Sequence, residues 1–210
     1  RVLSGMADGI MARVFAHLTV QELARWSDKP VINGLCDTEH PCQALADLLT
    51  LREFKGLQGR KIAYVGDGNN VCHSLMLLCA KLGVSFSAAT PQGYEMPAEW
   101  IEEARKWGEI SVSNDPREAV QNADAVYTDV WTSMGQEAET AQRLAVFPPF
   151  QINENLMSGA KPDAIVLHCL PAHREEEISG ETFEKHAAPI FAQAQNRLHA
   201  QKAVLLHLMG

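Results

Sequence analysis

From Lys61 onward the chain alternates short apolar runs with longer segments of helical spacing, and this alternation constrains the fold most tightly. Strand-like runs at Lys61–Val65, Val84–Ala89, Ile110–Val112, Ala125–Val130 and Ala164–Leu167 are separated by helix-like segments at Val71–Leu82, Ala98–Trp107, Pro116–Asn122 and Ile152–Met157. Gly83, Gly108 and Gly159 punctuate helix ends, and a last helix is predicted over Gln193–Leu208. Strands alternating with helices form a mostly parallel sheet with helices on both faces. The expected fold class is therefore α/β, doubly wound and Rossmann-like. Ligands of such sheets sit beyond the carboxyl ends of the strands. That rule singles out Gly66–Asn70, Asp129–Gly135 and His168–Pro171.

Upstream, Val2–Phe15 places apolar residues at Leu3, Met6, Ile10 and Val14, which predicts a helix. Pro30–Gly34 reads as a short buried strand, and Ala44–Phe54 as a helix with Pro41 in its first turn. A boundary is expected near Gly56–Gly59. Residues 1–38 would be the remnant of a preceding α/β domain, 39–56 a bridging helix, 57–190 the main domain and 191–210 a returning helix. The start at Arg1, within a predicted helix, suggests a segment of a longer chain.

Composition narrows the function classes. The 210 residues carry a net charge of −8 and no Lys/Arg run, which argues against non-specific nucleic-acid binding. No apolar stretch approaches the ~20 residues of a membrane span, and no secretory signal is visible. Cys36, Cys42, Cys72, Cys79 and Cys169 form an odd set without CxxC spacing, read as reduced thiols of a cytoplasmic protein.

Several residues have the chemistry of a site. Gly66-Asp-Gly-Asn-Asn70 follows a strand and opens a helix, like half a dinucleotide fingerprint. However, Val71 fills the third glycine position and Thr90 stands where a ribose-binding acid would. A small anion at the helix N-terminus is the functional alternative, and an Asn-capped turn the structural one. Asp129 and Ser133, at another strand end, could grip an ammonium group or form a loop cap. His40 and Gln43 lie one helical turn apart, suited to polarising a carbonyl and holding an amide, or to capping. His168, Cys169 and His173 lack a tidy ligand set, so no metal is expected. Arg13 and Arg197, taken alone, read as surface charges.

In this order and spacing, His40-Pro-Cys-Gln43, Gly66-Asp-Gly-Asn-Asn70, Asp129-Val-Trp-Thr-Ser-Met-Gly135 and His168-Cys-Leu-Pro171 closely resemble the ornithine carbamoyltransferases. The resemblance covers essentially the whole chain. It implies transfer of the carbamoyl group of carbamoyl phosphate to the δ-amine of L-ornithine, without metal or organic cofactor, in a homotrimer or higher homo-oligomer. It also implies roles. Arg13, His40 and Arg197 would donate to the carbonyl oxygen, and Gln43 with the backbone of Cys169-Leu170 would hold the carbamoyl nitrogen. Asn70 and the Met134 backbone would bind ornithine's α-carboxylate, Asp129 and Ser133 its α-ammonium, and Cys169 would sit by the reacting amine. The family's Ser-x-Arg-Thr-Arg phosphate motif does not occur in this sequence, so the chain alone is expected to be an incomplete catalyst. The alternatives are a non-catalytic ornithine-binding fragment and a carbamoyltransferase for a modified ornithine.

Overall fold

The computed structural model describes residues 1–133 and 135–210. The chain runs through β1 (Ile10–Arg13), α1 (His17–Trp26), β2 (Val31–Leu35), α2 (Pro41–Lys55), β3 (Lys61–Val65) and α3 (Asn70–Lys81). It continues through β4 (Ser85–Ala89), α4 (Ala98–Arg105), β5 (Ile110–Ser113), α5 (Pro116–Val120), β6 (Ala125–Thr128) and α6 (Thr140–Val146). It closes with α7 (Glu154–Met157), β7 (Ile165–His168), α8 (Gly180–Lys185) and α9 (Ala187–Met209).

Five strands form one parallel sheet in the order β5-β4-β3-β6-β7. The chain starts at the central strand β3, winds outward to β5, then returns past β3 to build β6 and β7. The strand order thus reverses between β3 and β6, opening a crevice at their carboxyl ends. Side chains of β3 alternate between two buried layers. Ile62 and Tyr64 join Leu75, Met76, Phe86 and Tyr127 on one face, while Ala63 and Val65 join Val120, Val126, Ile152 and Val166 on the other. A strand covered on both faces must be apolar at every position, which explains the continuous runs in the sequence.

The N-terminal part departs from expectation. Instead of a helix over Val2–Phe15, a 3-10 turn at Leu3–Gly5 is followed by strand β1, which pairs in parallel with β2. Gly5 and Gly9 weaken a helix there, and pairing with Val31–Leu35 supplies the hydrogen bonds that helical spacing cannot reveal. Strand β2 ends one residue later than expected and is half-buried rather than buried. Helix α7 starts at Glu154, because the Asn153 side chain caps it by accepting from the Leu156 amide at 3.0 Å. Helix α9 begins six residues before its expected start, at Ala187, and lies along α2. Asn196 of α9 donates to Thr50 Oγ1 at 3.0 Å and to Glu53 at 2.7 Å. Helices α1, α6 and α8 were not expected from the spacing. None of the described helices is long and apolar enough to cross a membrane.

The turn after β3 is fixed by crowding. A Cβ on Gly68 would fall 2.5 Å from the Met96 amide nitrogen and 2.7 Å from the Tyr94 carbonyl oxygen, both backbone atoms that cannot yield cheaply. Gly68→Ala is expected to lower the free energy of unfolding by about 1–3 kcal/mol, read from urea denaturation.

Candidate active site

Asp129 lies just beyond β6, at the reversal of strand order, and is 7% exposed. Its Oδ1 accepts from the Val130 amide at 2.8 Å and from the Cys169 thiol at 2.9 Å, while Oδ2 accepts from Asn69 Nδ2 at 2.9 Å. Asn69 also caps α3, its Oδ1 accepting from Val71 at 3.0 Å and Cys72 at 3.2 Å. The helix start, the end of β6 and the end of β7 thus meet on one carboxylate. Burial, then the neighbouring Asp129 charge, pushes the Cys169 thiol well above its ordinary range, so it stays protonated. The Ser133 hydroxyl is buried without a partner among the described residues. Asn70 faces the other way, its amide donating to the Cys36 carbonyl at 2.7 Å. Met134, expected here from the sequence, lies outside the described residues.

Two residues hold this crevice in shape. Asp67, in the turn after β3, forms a buried ion pair with Arg143 of α6 at 2.7 Å. Arg143 also donates to the Trp131 carbonyl at 2.8 Å and lies 4.8 Å over the Tyr94 ring. Burial raises the Asp67 pKa even against the Arg143 charge. Asp67 is thus committed to a latch that ties the turn after β3 to α6. Nothing in the spacing around Arg143 marks it for such a role. The only hint was an arginine in a short segment between apolar residues.

A second group gathers at the start of α2. His40 and Gln43 are buried, and Arg197 of α9 donates through Nη1 to Gln43 Oε1 at 2.7 Å. Burial first, then the charges of Arg197 and Arg13, depress the His40 pKa from 6.5 to about 3. Its imidazole is therefore neutral at physiological pH, and its Nδ1 has no protein partner among the described residues. Arg13 comes from the end of β1 and remains exposed. The charges of Arg13 and Arg197, from distant parts of the sequence, thus both reach His40.

The residues after β7 complete the floor. His168 is fully buried; its Nδ1 accepts from the Leu170 amide at 2.9 Å and its Nε2 lies 3.0 Å from Glu177 Oε1. Those contacts place the proton on Nε2. Leu170 has φ +60°, a left-handed conformation rarely adopted by a branched side chain, and precedes a cis peptide bond to Pro171. His168 is thus a bracket for the turn that carries Cys169 and Leu170. His173, Glu176 and Glu177 bring ligand atoms within 4.8 Å of one another. Glu177 Oε1 already serves His168 and the His173 amide, so the trio does not need an ion. An apolar cleft of about 500 Å³ lies elsewhere, between Leu3, Leu18, Leu23 and Trp26.

Residues 58–208 match the model of the aspartate/ornithine carbamoyltransferase Asp/Orn binding domain, and residues 1–53 match that of the carbamoyl-P binding domain. The chain belongs to the aspartate/ornithine carbamoyltransferase family. It is 56% identical to an ornithine carbamoyltransferase of Carboxydothermus hydrogenoformans, covering 100% of this chain and 70% of that relative. An ornithine carbamoyltransferase structure from Pyrococcus furiosus superposes with a TM-score of 0.94 at 51% identity, over 100% of this chain and 69% of that one. The anabolic enzyme of Campylobacter jejuni gives a TM-score of 0.95 at 44% identity, over 99% and 71%. This member of the carbamoyltransferase family thus spans about two thirds of the length of such relatives.

His40 links the site to acid stability. The unfolded side chain titrates near 6.5 and the folded one near 3, so between those values the unfolded state binds more protons. Stability from a neutral His40 is complete above 6.5 and is lost as pH falls towards 3. Asp47, a fully enclosed α2 carboxyl raised by burial from 3.8 to about 7, has the opposite slope. Its stabilising share is complete below 3.8 and is lost as pH rises through 7. In His40→Asn the His40 slope is removed while the Asp47 slope and those of the other shifted groups stay common to both proteins. Between pH 7 and about pH 4.5, urea unfolding should therefore show the wild type losing roughly 2 kcal/mol relative to this variant.

Proposed function

We propose that this chain supplies the ornithine-binding half, and part of the carbamoyl phosphate site, of an ornithine carbamoyltransferase. The observation that carries the reading is the pairing of Cys169 with Asp129 at 2.9 Å, accompanied by the Arg197–Gln43 bond and by a His40 under the charges of Arg197 and Arg13. The relatives named above as ornithine carbamoyltransferases support it. Residues 1–38 would contribute to the carbamoyl phosphate domain, 39–56 would bridge, 57–190 would bind ornithine, and 191–210 would return to the first domain. The complete protein would work in the cytoplasm as a homotrimer or higher homo-oligomer.

The chemistry follows from charge. Asp129 and Ser133 would take ornithine's α-ammonium, with the Met134 backbone and Asn70, once its amide turns from the Cys36 carbonyl, on its α-carboxylate. The uncharged δ-amine, beside Cys169, attacks the carbamoyl carbon. A C–N bond forms, and the carbonyl π electrons move onto oxygen. Arg13, neutral His40 and Arg197 would donate to that oxygen, each worth ~3 kcal/mol of barrier. The electrons return, the C–O bond to phosphate breaks with its pair, and the amine's proton leaves to phosphate or water. Gln43 would accept from the carbamoyl NH2, together with backbone carbonyls at Cys169 and Leu170. Holding the two substrates in line supplies roughly 7 kcal/mol or more. A protonated Cys169 is a hydrogen-bonding neighbour of the amine rather than a thiolate base.

The test is citrulline formation from carbamoyl phosphate and ornithine. It would be run with this chain and with a version completed by the N-terminal segment of a relative. Activity in the completed version only is expected, and its absence there would sink the proposal. In the active form, Asp129→Asn should cost about ten- to a hundredfold in kcat/KM for ornithine, the weight of a hydrogen bond to a charged group.

A further inference from the structure

Asp47 lies one helical turn beyond Gln43 on α2 and has no contact with solvent. Its Oδ1 accepts from two carboxamides, Gln43 Nε2 at 2.7 Å and Gln193 Nε2 at 2.6 Å. Each amide then presents its oxygen outward. Gln43 Oε1 accepts from Arg197 at 2.7 Å, and Gln193 Oε1 accepts from the His168 amide at 2.8 Å. Asp47 Oδ2 lies on the side of the buried Tyr127 hydroxyl, and neither oxygen has a partner in good geometry among the described residues. No Arg or Lys bonds directly to this carboxylate among those residues. Enclosing a carboxylate in this way is costly, which points to a role in arrangement rather than in stability.

We propose that Asp47 is the positioning residue of the carbamoyl pocket, fixing which way the Gln43 and Gln193 carboxamides face. A carboxamide has a donor end and an acceptor end of nearly equal shape, so packing alone does not choose between them. With Asp47 holding the NH2 of Gln43, its oxygen must point to Arg197 and to the volume where the carbamoyl NH2 would need an acceptor. Turned over, the same side chain would set a donor against the Arg197 guanidinium and another against the substrate's NH2. Through Gln193, the same oxygen of Asp47 braces the His168 amide, and so the turn bearing Cys169 and Leu170. Both walls of the pocket therefore take their polarity from one atom. Because that atom is Oδ1, the arrangement needs an acceptor rather than a negative charge.

The kinetic part rests on the carbamoyl-transfer reading, whereas the orientation of the amides does not. Side-chain NH2 exchange of Gln43 and Gln193, followed by NMR on this 210-residue chain, tests the orientation directly. Slow exchange is expected in the wild type and in Asp47→Asn, with loss of protection in Asp47→Leu. Free exchange of Gln43 in the wild type, or undiminished protection in Asp47→Leu, would overturn the proposal, the former even if the leucine variant fails to fold. In the chain completed with a relative's N-terminal segment, Asp47→Leu should raise KM for carbamoyl phosphate about tenfold or more while KM for ornithine moves less than about twofold. Asp47→Asn, which retains an acceptor, should recover most of that loss. Equal rises in both KM values, or no rescue by asparagine, would reduce Asp47 to a merely structural group. Inactivity of the completed wild type would instead strike the carbamoyl-transfer reading and leave the exchange measurement to decide the orientation.

Discussion

The parallel pairing of β3 with β4 on one side and β6 on the other governs the rest of the molecule. A central strand buried on both faces cannot carry polar chemistry along its length, so the chemistry is displaced to its carboxyl end. There the chain leaves in one direction from β3 and in the other from β6, and the space between them is where Asp129 sits. Asn69 spans that space and belongs to both sides, capping a helix with one end of its amide and holding a carboxylate with the other.

Residues that act together locally were legible in the sequence. The doubly wound sheet could be read because each of its strands is a short apolar run bounded by turns. The end of each strand, with Asp129 and Cys169, could be found by the rule for open sheets. Strand β1 could not, because its partner β2 lies beyond α1, and pairing at that separation leaves no local period. The spacing of Leu3, Met6, Ile10 and Val14 imitates a helical face only by coincidence. Asn69 and Asn70 look interchangeable in sequence, yet one residue of rotation sends one amide to Asp129 and the other to Cys36. Asp47 and Arg143 were silent for another reason. Their partners, Gln193 and Asp67, are remote in the chain and have no spacing that would tie them together. Family resemblance linked Arg13, His40 and Arg197, which ordinary sequence patterns leave as unrelated residues.

The electrostatic plan is asymmetric. Burial, and then the charges of Arg197 and Arg13, keep the His40 imidazole uncharged, which leaves it able to donate one hydrogen bond without adding a third positive charge nearby. On the other side burial, and then the Asp129 charge, keep Cys169 in its thiol form. Burial thus sets both protonation states, the neighbouring charges reinforce them, and both stay fixed near neutral pH.

The position of Arg197 on the last helix has a consequence for biosynthesis. During vectorial synthesis β1, α2 and the whole five-stranded sheet leave the ribosome before α9 does. Until α9 docks along α2, Gln43 has no guanidinium partner and the His168 amide has no Gln193 to lean on. A partly made chain would therefore have a nearly finished sheet but an unformed pocket. Docking of α9 would then be the event that gives Gln43 and the His168 amide their partners.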